Sequence, residues 1–354
     1  MPGTPTMQSV ATRAGVSLMT VSRALKNHPS IPLPTCERIR KIADELGYRP
    51  NPMVSALMAQ LRSKKASKRT PTLAFMTNHT EEIFSEWSHL RELFAGAASR
   101  AEALGYKLER FSLAEEGMTP ARMRGMLRAR GIPGIILDPL PLHAPDLEFD
   151  WSGFACASIG YSYKTTVLHR AVNDQFHSAG LAMAALEARG YKRIGMAIRN
   201  EDNDHSENRL VGGFMSLFPG LPAARRIPVF FWEDYHAKGF AEWFHEWEPD
   251  AVLTLLPVVR EWLSGQLGLR IPADVGLASL NVQSNHADWS GIDQNNRMIG
   301  ATALELVVEQ IHHNDHGIPG EPKTVMTKGR WIDGKTTRTS GTRSRMEKIP
   351  GKPR

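Results

Sequence analysis

The stretch Val10-Ala11-Thr12-Arg13-Ala14-Gly15-Val16-Ser17-Leu18-Met19-Thr20-Val21-Ser22-Arg23-Ala24-Leu25-Lys26 decides how this 354-residue chain is read. Its pattern predicts two short helices, Met7 to Ala14 and Leu18 to Lys26, parted by Gly15-Val16-Ser17. Gly15 supplies the positive φ of a tight turn between helices, and Ser17 is a good N-cap for the second helix. Val21, Ala24 and Leu25 fall on one side of that helix, opposite Val10, Ala11 and Val16. Leu18, Met19, Ser22, Arg23 and Lys26 fall on the other. Such an outward stripe of cations, a hydroxyl and apolar groups suits phosphates, base edges and thymine methyls in a major groove. Helix, glycine turn and helix form the helix-turn-helix, whose second helix lies in that groove. A third helix, Pro34 to Leu46, turns Ile39, Ile42, Ala43 and Leu46 inward. Gly47 ends it, and Tyr48-Arg49-Pro50-Asn51-Pro52 leaves in an extended form. The pattern alone leaves a three-helix protein-interaction module open.

Charge separates this head from the rest. Residues 1–70 carry 12 Lys/Arg and 3 Asp/Glu, a balance of +9, and residues 335–354 carry +6. Residues 71–334 are left with −9 in a chain of net +6. A basic head on an acidic body predicts that the head meets a polyanion and the body meets something else. The basic tail shows no helical periodicity and reads as a solvated, flexible arm. No run of about 18 apolar residues is present to span a bilayer, and the N-terminus lacks the charged and apolar regions of a secretory signal. Cys36 and Cys156 have no metal or redox spacing, so a reducing cytoplasm is the expected home.

From Thr72 the body alternates strands and helices. Leu73–Met76, Tyr106–Phe111, Gly134–Leu137, Ile194–Ile198 and Ala251–Thr254 read as buried strands. Leu90–Leu104, Thr119–Arg130, Phe176–Arg189, Gly239–Trp247 and Val258–Leu267 read as helices. The alternation predicts parallel sheets with helices on both faces, and the length calls for two of them. Ligands of such folds sit beyond the carboxyl ends of the strands, here in a crevice between lobes.

Val10 to Ser17, Thr20 to Leu25 and Leu46-Gly47-Tyr48-Arg49-Pro50-Asn51-Pro52 together resemble the headpiece signature of the lactose-repressor (LacI/GalR) family over about 50 residues. Asn173-Asp174, Arg189 to Gly195, Asn208 to Gly212, Pro249 to Val252, Ile271 to Val275 and Ile299-Gly300 resemble, in order, the same family's core, which is similar to a periplasmic sugar-binding protein. The resemblance implies that Leu18, Met19 and Arg23 read bases, with Thr20 on the same DNA-facing helix. It implies that Ser17, Ser22, Lys26, Thr35 and Asn51 hold phosphates, and that Leu57, with Leu61 as a weaker second, wedges into the minor groove from a hinge helix. Val54 stands where the family prefers alanine. In the core, Arg209 matches the effector-clamping arginine, whose guanidinium forks onto vicinal hydroxyls or a carboxylate.

Two departures mark the effector wall. Asn281 stands where many members have an aspartate, and Leu255-Leu256-Pro257 stands where an Asn/Ser-Asp pair is usual. Asn78, Asp174, Trp232, Tyr235, Trp289 and Gln294 are the further candidate linings, the aromatic ones as sugar platforms. His312, His313 and His316 lack a partner at metal spacing and read as a solvated helix end. No nucleophile elbow, phosphate loop or His-Glu-x-x-His occurs, so neither catalysis, a cofactor nor a metal is expected.

The expectation is a multidomain protein with an all-α helix-turn-helix headpiece over 1–50 and a hinge and linker over 51–70. A two-lobed, periplasmic-binding-protein-like α/β core with parallel doubly wound sheets follows over 71–334, with lobe crossovers near 172 and 297. A basic flexible tail covers 335–354. The expected function is a DNA-binding transcriptional regulator, a homodimeric repressor on a pseudo-palindromic double-stranded operator, set by a sugar or sugar derivative and free of the membrane. The rivals are a sugar-binding receptor without DNA function and a sugar-modifying enzyme. Without a leucine heptad in the tail, a dimer rather than a tail-bundled tetramer is expected.

Overall fold

Three short helices open the fold: α1 (Met7–Ala14), α2 (Leu18–Leu25) and α3 (Leu33–Glu45). The computed structural model describes residues 7–25, 30–48, 70–141, 143–233, 237–284 and 287–339. Gly15 sits at φ +66° with open space where a Cβ would be, so it is backbone conformation rather than crowding that calls for glycine there. Val10, Ala11, Ala14, Val21, Ala24, Cys36, Ile39 and Ala43 form the headpiece core. Val16, Leu25, Ile42 and Leu46 are partly buried against it, which is the inward set read from the sequence. Cys36 completes that core as a free thiol. Arg38 on α3 donates to Ala14 O at 3.3 Å, so a cation closes the carbonyl end of α1.

The core holds two six-stranded sheets. The first lobe runs in the order β11-β5-β4-β3-β1-β2, with β1 Thr72–Thr77, β2 Lys107–Ser112, β3 Gly134–Leu137, β4 Ala155–Ile159, β5 His169–Asn173 and β11 Thr324–Thr327, all parallel. The second runs β12-β10-β9-β8-β6-β7, with β6 Ile194–Arg199, β7 Phe230–Trp232, β8 Ala251–Thr254, β9 Gly276–Ser279, β10 Ser290–Asp293 and β12 Arg330–Ile332. Only β12 runs antiparallel, against β10. The helices that matter below are α4 (Glu81–Glu86), α5 (Ser88–Ala103), α6 (Pro120–Ala129), α7 (Gln175–Ala188), α8 (Asn200–His205), α9 (Arg209–Met215) and α10 (Ala237–Trp247). They are followed by α11 (Val258–Glu261), which continues in a π turn over Trp262–Gln266, and α12 (Asn296–His313). Strands β3, β6 and β8 are buried along their whole length, as parallel strands covered on two faces require.

The chain crosses between lobes three times: after β5 into α7, after β10 into α12, and from β11 to β12. The third passage, at 327–330, is absent from the sequence reading because β11 and β12 are too short and too exposed to stand out. One amide ties the three together, since Asn173 Nδ2 donates to both Gln294 O and Thr327 O at 3.2 Å. Asp174 N donates to Thr327 O at 2.8 Å beside it. Where α12 returns to the first lobe it meets α5 at glycines: a Cβ on Gly96 would lie 1.9 Å from Arg297 O, and one on Gly300 1.9 Å from Leu93 O. Residues 335–339, expected in a solvated tail, are packed instead. Thr336 and Thr337 are buried, Leu277 donates to Thr336 O, and Tyr191 OH accepts from Arg338 N at 3.0 Å, so these residues complete the second sheet.

Candidate functional site

Two surfaces carry chemistry. On the headpiece, Ser17 Oγ accepts the Thr20 N–H at 3.1 Å and lies 2.9 Å from the Thr20 hydroxyl, capping α2. The cap fixes α2 so that Leu18 and Met19 stand 45% and 58% exposed, with Arg23 exposed one turn on and Ser22 half-buried between them. Thr35 is half-buried in the first turn of α3. Two neighbouring exposed apolar side chains beside an exposed guanidinium form a contact surface, since burying them in the headpiece's own core would have been the stabler arrangement. Lys26, Asn51, Leu57 and Leu61 lie outside the described residues.

The second surface is the crevice between the lobes, built from the carboxyl ends of the strands. On the first-lobe side, past β1, Asn78 is half-buried and His79 buried; the His79 ring nitrogen Nε2 is 3.0 Å from Pro139 O, and its Nδ1 has no partner. Trp87 stands 38% exposed between two imidazoles, 5.9 Å from His79 and 5.4 Å from His89, ring to ring. His89 Nδ1 is also buried without a partner, and desolvation, then the neighbouring His79, pushes that ring's pKa down to about 4. Past β3, buried Asp138 accepts from the Thr77 hydroxyl while its Oδ1 is unpaired, and desolvation pushes its pKa up to about 8. Past β4, Tyr161 is 2% exposed with an unpaired hydroxyl. Past β5, Asp174 N-caps α7 through His177 N at 3.1 Å, and Gln175 Oε1 is unpaired.

The second lobe answers from across the crevice. Arg209 stacks on the Tyr161 ring at 4.7 Å, reaches Glu207 at 3.4 Å, and keeps a buried Nε without an acceptor. Arg170 of β5 lies over the same ring at 5.4 Å and pairs with Glu207 at 3.2 Å. Asn281, past β9, holds its backbone with Ser279 Oγ and leaves Oδ1 unpaired. It lines a small cavity with Leu255, Pro257, Ser279 and Trp289, so the two departures noted in the sequence share one wall. Trp232 and Trp289 belong to the second lobe's aromatic core, 4% and 3% exposed, and Trp232 is 5.1 Å from Trp262. Trp232 nevertheless leaves its Nε1 without an acceptor. Gln294 spends its amide on Leu280 O at 2.8 Å as a strut between strands. Tyr235 lies outside the described residues. Salt-bridge and hydrogen-bond contacts close the rim: Ser88 Oγ to Gln283 at 3.5 Å, His143 to Glu201 at 3.2 Å, and Lys164 Nζ to Asp204 O at 2.7 Å.

Sequence reasoning passed over Tyr161, Trp87, His79 and His89. Three of the four lie just beyond strand ends or helix starts, and Tyr161 was hidden because β4, Ala-Cys-Ala-Ser-Ile, has neither alternation nor bulky apolar residues to mark it as a strand. Among the described residues no group of three or more His, Cys, Asp or Glu gathers to hold a metal, and no helix is long and apolar enough to cross a membrane.

Two family models match parts of the chain. Residues 6–51 match the model of bacterial regulatory proteins of the lacI family, and residues 183–337 match a periplasmic binding protein-like domain. The NTD biosynthesis operon regulator NtdR of Bacillus subtilis (strain 168) is 24% identical over 299 residues, 79% of this chain and 83% of that protein. The transcriptional repressor PurR of Vibrio atlanticus (strain LGP32) is 24% identical over 337 residues, 88% and 93% of the two chains. In fold, the chain is similar to a transcriptional regulator CelR–cellobiose complex, with TM-score 0.57 and 17% identity over 94% of this chain and 99% of that one. It is similar also to a lac repressor dimer bound to operator and the anti-inducer ONPF, with TM-score 0.53 and 18% identity over 95% and 100%.

Proposed function

The chain belongs to the lacI family of bacterial regulatory proteins and is a DNA-binding transcriptional regulator rather than an enzyme; from that premise we propose that it is a homodimeric repressor whose interlobe crevice senses a small sugar-like effector. One observation carries the effector reading. Eleven residues among those described hold a buried side-chain polar atom without a hydrogen-bond partner; Glu201 Oε2 meets His143 in an ion pair, and of the other ten all but Arg189 sit at or past the carboxyl ends of the strands. Each such atom costs about 1–3 kcal/mol when left unmade. A fold tolerates a few scattered ones, whereas their gathering on one face supports a surface finished by a polar ligand. Two headpieces side by side suit a pseudo-palindromic operator, with α2 in successive major grooves, and the working place is the cytoplasm, where that DNA is.

The coupling is mechanical. A ligand that bridges Tyr161 and Asn78 on one lobe to Arg209 and Asn281 on the other sets the lobe angle. The chain enters the first lobe at β1, so the angle is relayed to the linker and the headpieces. Linkage then requires that operator and effector change each other's affinity by one and the same factor. Fluorescence anisotropy on operator DNA tests this. Affinity is expected to fall with salt at a log–log slope of about −0.9 per neutralised phosphate, and to shift when a binding sugar is added. Salt-independent binding, or an operator affinity indifferent to every sugar that binds, would contradict the proposal.

A further inference from the structure

The acidic body carries a basic face, and it lies where the chain enters the core. From Thr119 to Leu137 the sequence holds four arginines and no Asp or Glu, inside a body whose balance is −9. The arginines belong to α6 and the turn after it. Met123 and Leu127 bury the helix on the face of the first sheet opposite α5 and α12, which leaves Arg122, Arg128 and Arg130 exposed and Arg124 half-buried. The helix runs from the carboxyl end of β2 to the amino end of β3, so its later arginines stand at the end of the sheet away from the crevice. The linker arrives at that same end. Lys107, the first residue of β2, donates its backbone N–H to Pro71 O at 2.9 Å, immediately before β1 begins.

Cations outnumber carboxylates there by two to one. Glu109 is shared, with Lys107 Nζ at 2.7 Å from its Oε1 and Arg130 on its Oε2. Asp150 is shared likewise: it pairs with Arg124 and lies within electrostatic reach of Arg128, whose guanidinium donates to the neutral carbonyl of Ser152 at 3.1 Å. The four cations sit near the starts of β2, β3 and β4, in a sheet ordered β4-β3-β1-β2 along this edge. Three strand spacings span about 14 Å, over which one DNA strand presents about four phosphates. The linker extends the charge, since residues 62–69 hold Arg62, Lys64, Lys65, Lys68 and Arg69 and no Asp or Glu. A second copy of the chain would bring the same cations to this face and be repelled by it. A polyanion is attracted, and the headpieces bring one to an otherwise acidic body.

We infer that Lys107, Arg124, Arg128 and Arg130 form a second DNA surface, on the core itself, which holds the phosphate backbone of the operator duplex once the headpieces are seated. This rests on the reading of the chain as an operator-binding regulator and adds a contact outside the headpiece. The contact reads no bases; it contributes affinity and salt dependence.

The test is fluorescence anisotropy of the full-length protein, across a salt series, on a duplex carrying the sequence that the protein selects from a random library. The double substitution Lys107→Gln with Arg128→Gln removes two surface cations. It is expected to make the log–log salt slope shallower by about 0.9 for each cation lost, while the ratio of affinities for the selected site and its single-base variants stays unchanged. Glu109→Gln reads the opposite sign. It releases Lys107 and Arg130 from their shared carboxylate, and binding at low salt should tighten by at least about twofold, a gain that a damaged fold does not produce. A native slope in the double variant, or unchanged or weaker binding by Glu109→Gln, would overturn the inference and leave the headpiece reading standing. Dissociation of a native dimer by the double substitution, seen in sedimentation velocity, would assign the face to a subunit interface and overturn it too. Absence of any salt slope in the native protein would overturn the operator-binding reading itself.

Discussion

The headpiece stripe and the interlobe crevice are opposite solutions to recognition. On α2, apolar side chains that a core would welcome are held out in solvent, while the polar groups around them are capped or exposed. In the crevice, polar atoms that solvent would welcome are held in, unpaired. The stripe is local, carried by one helix of eight residues. The crevice is assembled from strand ends as far apart in sequence as Asn78 and Asn281, and exists only when two sheets face one another. A surface for a long, charged, hydrated polymer can remain open; a pocket for a small polar molecule must exclude water and keep partners waiting.

If the two surfaces are as separate as this contrast requires, damage to one should spare the other. The largest effect is expected from Ile39→Ala, which opens a cavity in a headpiece core of eight buried residues and costs about 2–5 kcal/mol. So small a unit has little stability to lose, so operator binding should disappear while calorimetry still detects sugar binding by the core. Loss of both would break the comparison. Arg209→Ala is the mirror experiment. It removes charge-assisted hydrogen bonds worth about 1.5–3 kcal/mol, and sugar affinity should drop at least about tenfold, with operator affinity in the absence of sugar unchanged.

The crevice should also show a pH signature that the headpiece lacks. His89 has a folded pKa of about 4, below its ordinary 6.5, because burial disfavours its charged form. A depressed pKa means stability that is present above 6.5 and is lost as pH falls through that value toward 4. The loss is on the order of 2 kcal/mol. Urea midpoints of the core at pH 7 and pH 4.5 should therefore differ, and His89→Gln should bring them closer; equal spacing in both proteins would remove His89 from the explanation. The smallest effect is expected from Ser17→Ala, about 1 kcal/mol of headpiece stability from the lost cap, read as a lower headpiece melting temperature.

What could be read in advance follows the same division. The headpiece was legible almost to the residue, since glycine turn, cap and apolar spacing all lie within a few turns of helix. Strands Gly134–Leu137 and Ala251–Thr254 were legible end to end because bulky apolar runs mark them. Strands β4 and β10 were not, since Ala-Cys-Ala-Ser-Ile and Ser-Gly-Ile-Asp owe their burial to neighbours rather than to their own hydrophobicity. Arg209 was found through its motif. Tyr161, on whose ring it stacks, was not, because nothing local distinguishes a tyrosine that guards a crevice from one that fills a core. That the rings of Trp232 and Trp289 also pack into the aromatic core of the second lobe was not legible from the sequence either.

The account stands most directly on α2. Selection of binding sites from a randomised duplex library, run in parallel with the full-length protein and with Arg23→Ala, tests it in one measurement. A two-fold symmetric sequence should be enriched by the native protein. The variant should enrich the same sequence with one position in each half relaxed, at a discrimination loss of about 1–3 kcal/mol. An unchanged preference in the variant, or no enriched sequence at all, would contradict it.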